Sequence, residues 1–145
     1  MLLKDFLEQE GYTKIKLKLT KTNHFEMKAR INNNLGRFIL DTGASNTLVD
    51  ENMHDYFGLQ VEETDVKVTG AGAMNMDSKI SKKNDLRIGK WRHPKTVIVL
   101  FNLSHVNSGL QSLNVPAVNG IIGTDILKKA KAIIDYEKKY LYLKL

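Results

Sequence analysis

The sequence predicts an all-β protein, a barrel or sandwich of short strands. Three observations carry that expectation. Apolar and polar residues alternate with a period of two in several stretches, Gly- and Asn-containing turns separate those stretches at short intervals, and few segments have the length and period of a helix.

Taken in order, Leu2, Leu3, Phe6 and Leu7 recur at helical spacing ahead of Gly11, which predicts a short N-terminal amphipathic helix that must pack on something to be stable. In TKIKLKLT, Ile15, Leu17 and Leu19 alternate with Lys14, Lys16 and Lys18, the pattern of one half-buried strand with a solvated lysine face. Phe25, Met27, Ala29 and Ile31 repeat the period, Asn32 to Gly36 supplies turn chemistry, and Arg37 to Leu40 resumes an apolar run ending at Asp41, so a β-hairpin delivers Asp41 at a strand end. Residues 50–58 suggest one or two helical turns. Val66 and Val68 lead into Thr69-Gly70-Ala71-Gly72-Ala73, and weaker alternation follows through Met74, Met76 and Ile80: a long hairpin with a small-residue tip. Leu86 with Ile88, and Thr96 to Phe101, read as further strands, and Leu103 to Val115 as loop with a helical turn. Ala117 to Ile122 reads as a strand, Asp125 to Lys131 as a short helix, and the two segments Ala132 to Tyr136 and Tyr140 to Leu145 as a closing hairpin.

The chain has 145 residues, 22 Lys and Arg against 16 Asp and Glu, and no Cys. That length suits one domain, 1–145, with one core. Without Cys there are no disulfides, thiolate metal sites or Cys nucleophiles, and a reducing, cytoplasmic setting is expected. Lys4 and Asp5 interrupt the only candidate leader stretch, and no apolar run approaches the roughly 20 residues of a bilayer-spanning helix, so no membrane association is expected. The net charge of +6 is unevenly spread. Residues 1–40 carry 8 basic and 4 acidic side chains, 41–77 carry 1 and 8, and 78–145 carry 13 and 4. An acidic middle between basic ends argues against a nucleic-acid partner. His24, His54, His93 and His105 lack metal-ligand spacing, so neither metal nor cofactor is expected.

The segment FILDTGASNTLVD, residues 38–50, concentrates the chemistry. An Asp at the end of a buried apolar strand is costly unless its carboxylate is hydrogen-bonded or paired. Gly43 permits a tight turn and close approach of the backbone to it, and Thr42 offers a hydroxyl. Two such carboxylates sharing one proton could activate a water and polarise a carbonyl, but the chain has only one in this setting, so the second must come from another copy across a two-fold axis. An internal echo accompanies it. Ile39-Leu40-Asp41-Thr42-Gly43 and Ile121-Ile122-Gly123-Thr124-Asp125 share a pattern in which only the first has a carboxylate at the third position.

In order along the chain, Leu40-Asp41-Thr42-Gly43-Ala44-Ser45, the small-residue hairpin around Gly70 to Ala73, and Gly120-Ile121-Ile122-Gly123-Thr124-Asp125-Ile126-Leu127 resemble the catalytic loop, flap and apolar-apolar-Gly motif of the retropepsin-like aspartic proteases. The resemblance covers roughly residues 24–145 and leaves 1–23 as an N-terminal extension of helix plus strand. It implies a retropepsin-like protomer, a closed or partly open β-barrel with one short helix after Gly-Ile-Ile-Gly besides the N-terminal one. It implies an aspartic endopeptidase active as a homodimer on peptide or protein substrates, without cofactor, in which Asp41 of each copy forms the dyad. Thr42 would brace the two loops, Gly43 would offer backbone groups to substrate, Ala44 and Ser45 would complete the loop, and Ser45 would hydrogen-bond Asp41 or nearby backbone. Thr69, Gly70, Ala71, Gly72 and Ala73 would form the flap that closes over an extended peptide, and Ile122, Gly123 and Thr124 would support the loop. Thr124-Asp125 departs from the Arg with which retroviral members tie their dimer. Two alternatives stay open at this point: a catalytically silent peptide-binding module of the same fold, and a basic nucleic-acid-binding barrel.

Overall fold

The computed structural model describes residues 1–70 and 73–145, with side chains described outside 63–78. Among the described residues there are eleven strands in two sheets, and one sheet closes on itself.

The N-terminal helix α1 (Leu3–Gln9) forms as expected, burying Leu7 and leaving Leu2, Leu3 and Phe6 at the surface. The alternating lysine segment is not one strand but two, β1 (Tyr12–Lys16) and β2 (Lys18–Leu19). Between them Leu17 is buried and donates its backbone N–H to the Lys139 carbonyl, so the chain changes sheets at this residue. Ile15 and Leu17 keep the inward face the alternation predicts, whereas Leu19 emerges at the surface.

Strands β3 (Phe25–Ile31) and β4 (Asn34–Leu40) form the expected hairpin. Its turn is shorter than the sequence suggested. Only Asn32 and Asn33 lie in it, both left-handed (φ 50° and 74°), a conformation Asn tolerates and a two-residue hairpin requires. Gly36 is not a turn residue. It belongs to β4, where a Cβ would lie 2.6 Å from the Phe57 ring. Strand β5 (Leu48–Asp50) runs into a single 3₁₀ turn, Glu51–Met53, within the one or two helical turns expected there, and the following turns bring Phe57 into the core.

Strands β6 (Glu62–Gly70) and β7 (Ala73–Ile88) pair as the long hairpin, and β7 runs unbroken through Leu86 and Ile88 rather than ending before them. It pairs with β8 (Trp91–Phe101), followed by helix α2 (Ser104–Ser112), strand β9 (Gly120–Ile122), helix α3 (Thr124–Lys129) and the hairpin of β10 (Ile133–Asp135) and β11 (Tyr140–Lys144). Helix α2 is an addition to the expected helices. Its nine residues carry few apolar groups, and tertiary contacts hold it. Leu110 is buried, and Asn107 both donates to and accepts from the Val118 backbone, at 3.1 and 2.8 Å.

In the large sheet the order is β2-β3-β4-β9-β5-β8-β7-β6, and β3 also pairs with β7. The ring β3-β4-β9-β5-β8-β7 is therefore a closed six-stranded barrel, with β2 and β6 outside it. The small sheet, ordered β1-β11-β10, packs beside it. Met27, Ile31, Phe38, Phe57, Leu86, Ile98, Ile122 and Leu141 share the main core. Each such side chain contributes about 1.5–3 kcal/mol by leaving water. A second cluster joins Ile39, Leu48, Val99 and Ile121 to Leu103 and Leu110, so α2 covers the outer face of the strands that flank Asp41.

Candidate active site

Strand β9 inserts between β4 and β5, although β4 and β5 are joined by only seven residues, 41–47. Those residues must loop around the end of β9. This is where the sequence echo becomes geometry: β4 and β9 run parallel with Ile39 opposite Ile121 and Leu40 opposite Ile122, so Asp41 and Gly123 leave the ladder at the same level. The Asp41 N–H donates to the Ile122 carbonyl at 3.0 Å, and its own carbonyl accepts from the Ala44 N–H at 3.2 Å.

The Asp41 carboxylate is partly buried, and its Oδ1 accepts the Gly43 N–H at 2.8 Å. A Cβ on Gly43 would come within 3.2 Å of that same oxygen, so glycine is what lets the amide approach. Thr42 and Gly43 are exposed, and Ala44 is fully buried. Ser45 is exposed, with its Oγ accepting from Asn46 Nδ2 at 3.3 Å.

Ile122, Gly123 and Thr124 meet this loop directly. The Ala44 carbonyl accepts both the Thr124 N–H (2.8 Å) and its Oγ1–H (3.2 Å). A Cβ on Gly123 would lie 2.6 and 2.8 Å from the carbonyl oxygens of Asn46 and Ala44, so any larger residue would push the loop away.

Sequence reasoning missed a third tie. Thr47 is fully buried, donates its hydroxyl to Asp125 Oδ1 at 2.8 Å, and accepts the Gly123 N–H at 3.1 Å. The same Asp125 oxygen takes the Ile126 N–H at 2.9 Å. Thr124-Asp125 thus fastens the loop within one chain. No local signal marks it, because the partners lie 78 residues apart.

Asp41 opens on a cleft of about 450 Å³ with Ile39, Ile121, Val106 and Leu110 as its apolar wall. His24 and His105, two of the histidines that lack metal-ligand spacing in the sequence, both line it. His24 is held by Thr20 and Thr22. One proton placement makes every contact here a hydrogen bond: Nδ1–H donates to Thr22 Oγ1 (2.7 Å), Thr22 to Thr20 Oγ1 (2.9 Å), and Thr20 to the His24 carbonyl (3.2 Å). Among the described residues no three acidic or imidazole side chains gather as metal ligands, and no helix is long and apolar enough to cross a membrane.

In the segment expected to form a flap, Thr69 pairs with Met74 and Gly70 with Ala73 along the backbone of β6 and β7, while Ala71 and Gly72 lie outside the described residues.

The fold resembles solved proteases. A retropepsin-like aspartic protease from Rickettsia conorii matches with a TM-score of 0.61 and 22% identity, over 92% of this chain and 89% of that one. EIAV protease, in complex with the inhibitor HBY-793, matches at 0.57 and 16% identity, over 81% and 98%. The retroviral protease-like domain of Ddi1 from Leishmania major matches at 0.53 and 17%, over 90% and 89%. No curated protein matches the chain. The aspartyl protease family model matches residues 27–126, a span that takes in the Asp41 loop, the β6–β7 hairpin and Gly123. The chain belongs to the aspartyl protease family and has the retropepsin-like fold.

Proposed function

We propose that the protein is an aspartic endopeptidase whose catalytic unit is a homodimer. The observation that carries this reading is the pairing of β4 with β9: Asp41 ends one strand with its carboxylate held by the Gly43 amide, and the in-register position on the neighbouring strand is Gly123. One protomer therefore contributes one carboxylate to a chemistry that uses two.

With two copies of Asp41 brought together, repulsion between the carboxylates would keep one protonated. The ionised Asp41 takes a proton from water, whose oxygen attacks the peptide carbonyl, while the protonated Asp41 donates to the carbonyl oxygen. The tetrahedral intermediate then collapses with proton transfer to the leaving nitrogen. The exposed Thr42 and Gly43 are the loop residues available to meet the second copy and the substrate. The β6–β7 hairpin supplies strand edges for an extended peptide. A cysteine-free composition suits a cytoplasmic setting.

The test is cleavage of an unfolded protein by wild type and Asp41→Asn. Loss of at least about a hundredfold is expected, as for removal of an acid-base group, and undiminished cleavage would refute the assignment. Mixing wild type with an equal amount of Asp41→Asn distinguishes a shared dyad from a self-sufficient protomer. Random pairing lowers activity per wild-type subunit to about half, whereas a self-sufficient protomer is unaffected.

A further inference from the structure

A second recess, of about 790 Å³, opens where the chain changes sheets at Leu17. Residues 14–19 form one wall, and Lys28 of β3 and Lys139 of the β10–β11 turn also line it. Ile15, Leu17 and Met27 make it apolar underneath, and the turn residue Gly89 closes against Ile15. Five lysines contribute to its lining: Lys14, Lys16, Lys18, Lys28 and Lys139. Lys14 sits over the Tyr140 ring at 4.5 Å, and the other four are exposed. Among the described residues one carboxylate lines it, Glu26, which is taken by Arg37 at 2.6 Å, and no carboxylate pairs with any of the five lysines.

We infer that this groove binds an acidic, extended polypeptide segment with apolar residues interspersed. Charge sets the sign of the ligand, and the lysines hold an unneutralised positive field over an apolar base. Topology sets its class. Strands β1 and β2, which supply residues 14–16 and 18–19 of the wall, are each the outermost strand of their sheet, and a polypeptide can add to such an edge through its own backbone. Nucleic acid fits less well. Among the described residues the lining has no aromatic residue on which a base could stack and no Arg fork for phosphate. Alternation of acidic and apolar side chains in the ligand would direct carboxylates to the lysines and apolar groups to Ile15, Leu17 and Met27. The inference stands on binding alone and does not depend on catalysis by Asp41.

The test is fluorescence anisotropy at low salt with a labelled peptide of alternating Glu and Val, the same peptide with Gln for Glu, a labelled oligo-dT of similar length, and vesicles containing anionic phosphatidylserine. The Glu peptide is expected to bind wild type, and Lys18→Glu/Lys28→Glu to weaken binding about tenfold or more. Lys95→Glu, on an exposed residue outside the groove, should leave binding unchanged, and so should Asp41→Asn. Thermal melts of each variant separate lost binding from lost folding, and Lys16→Glu provides an independent reversal if the double variant melts early. Equal binding of the Gln peptide, tighter binding of oligo-dT or vesicles, or insensitivity to reversal in folded variants would each overturn the inference. In the last case the lysines serve only to protect free strand edges.

Discussion

Replacing Thr47 by Val is expected to loosen the Asp41 loop without changing the volume of the side chain. The Thr47 hydroxyl is fully buried and makes two hydrogen bonds, to Asp125 Oδ1 at 2.8 Å and from the Gly123 N–H at 3.1 Å. Val deletes both. An orphaned buried amide costs about 1–3 kcal/mol, and the loss at Asp125 adds about 1 kcal/mol because that oxygen retains the Ile126 N–H. The added apolar methyl returns about 0.8 kcal/mol, leaving a net loss of about 2 kcal/mol. In a domain of this size that lowers Tm by roughly 6–8 °C. Urea unfolding followed by circular dichroism measures it, and Thr47→Ser, which keeps the hydroxyl, is the control. The peptidase activity proposed above should fall further than the unfolded fraction explains, because the loop that holds Asp41 also docks on Gly123 and Thr124. A Thr47→Val protein within about 0.5 kcal/mol of wild type would refute the reasoning, since that is the range of an unremarkable surface change.

Three further outcomes follow from the same geometry. At the β3–β4 turn, Asn33→Gly should stabilise by about 0.5 kcal/mol by easing a left-handed position. Asn32→Gly should instead cost about 2 kcal/mol, because the Asn32 side chain donates to the Phe57 carbonyl and Asn84 and accepts the Asp85 N–H; denaturant titration of the pair reads both signs. Gly120→Ala should destabilise by about 3 kcal/mol or more, since its Cβ would overlap the Leu48 carbonyl oxygen and press on the Phe38 ring at 2.8 Å, and a Tm near that of wild type would contradict this. Asp85 is held below the usual carboxylate range chiefly by the Arg92 hydrogen bond, with Arg87 assisting and burial opposing. A depressed carboxylate stabilises above its unfolded pKa, about 3.9, and loses that contribution as pH falls through its folded value. Asp85→Asn should therefore be less stable than wild type at neutral pH by up to about 1 kcal/mol, with the gap closing below about pH 4 in melts across pH.

Local pattern made much of this molecule legible. The period of two across Phe25, Met27, Ala29 and Ile31 foretold their shared inward face, because a strand that buries one side must alternate. Asp41 stood out because a carboxylate after an apolar run needs a donor, and the Gly43 amide is that donor. What local pattern misplaced has equally physical causes. The lysine strand breaks at Leu17 because the Lys139 carbonyl claims its amide, a contact across more than a hundred residues. Helix α2 has too few apolar residues to announce itself, and its order comes from Asn107 on the Val118 backbone.

By itself, then, the sequence determined the strand-rich class, the single carboxylate at a strand end and the echo at Gly123, since these depend on neighbours a few residues apart. Only the tertiary structure decided that β9 slides between β4 and β5, that Thr47 and Asp125 fasten the loop, that two histidines share the cleft of Asp41, and that five lysines meet in one groove. Each of these joins residues that are distant in sequence, and such partners become neighbours only when the barrel closes.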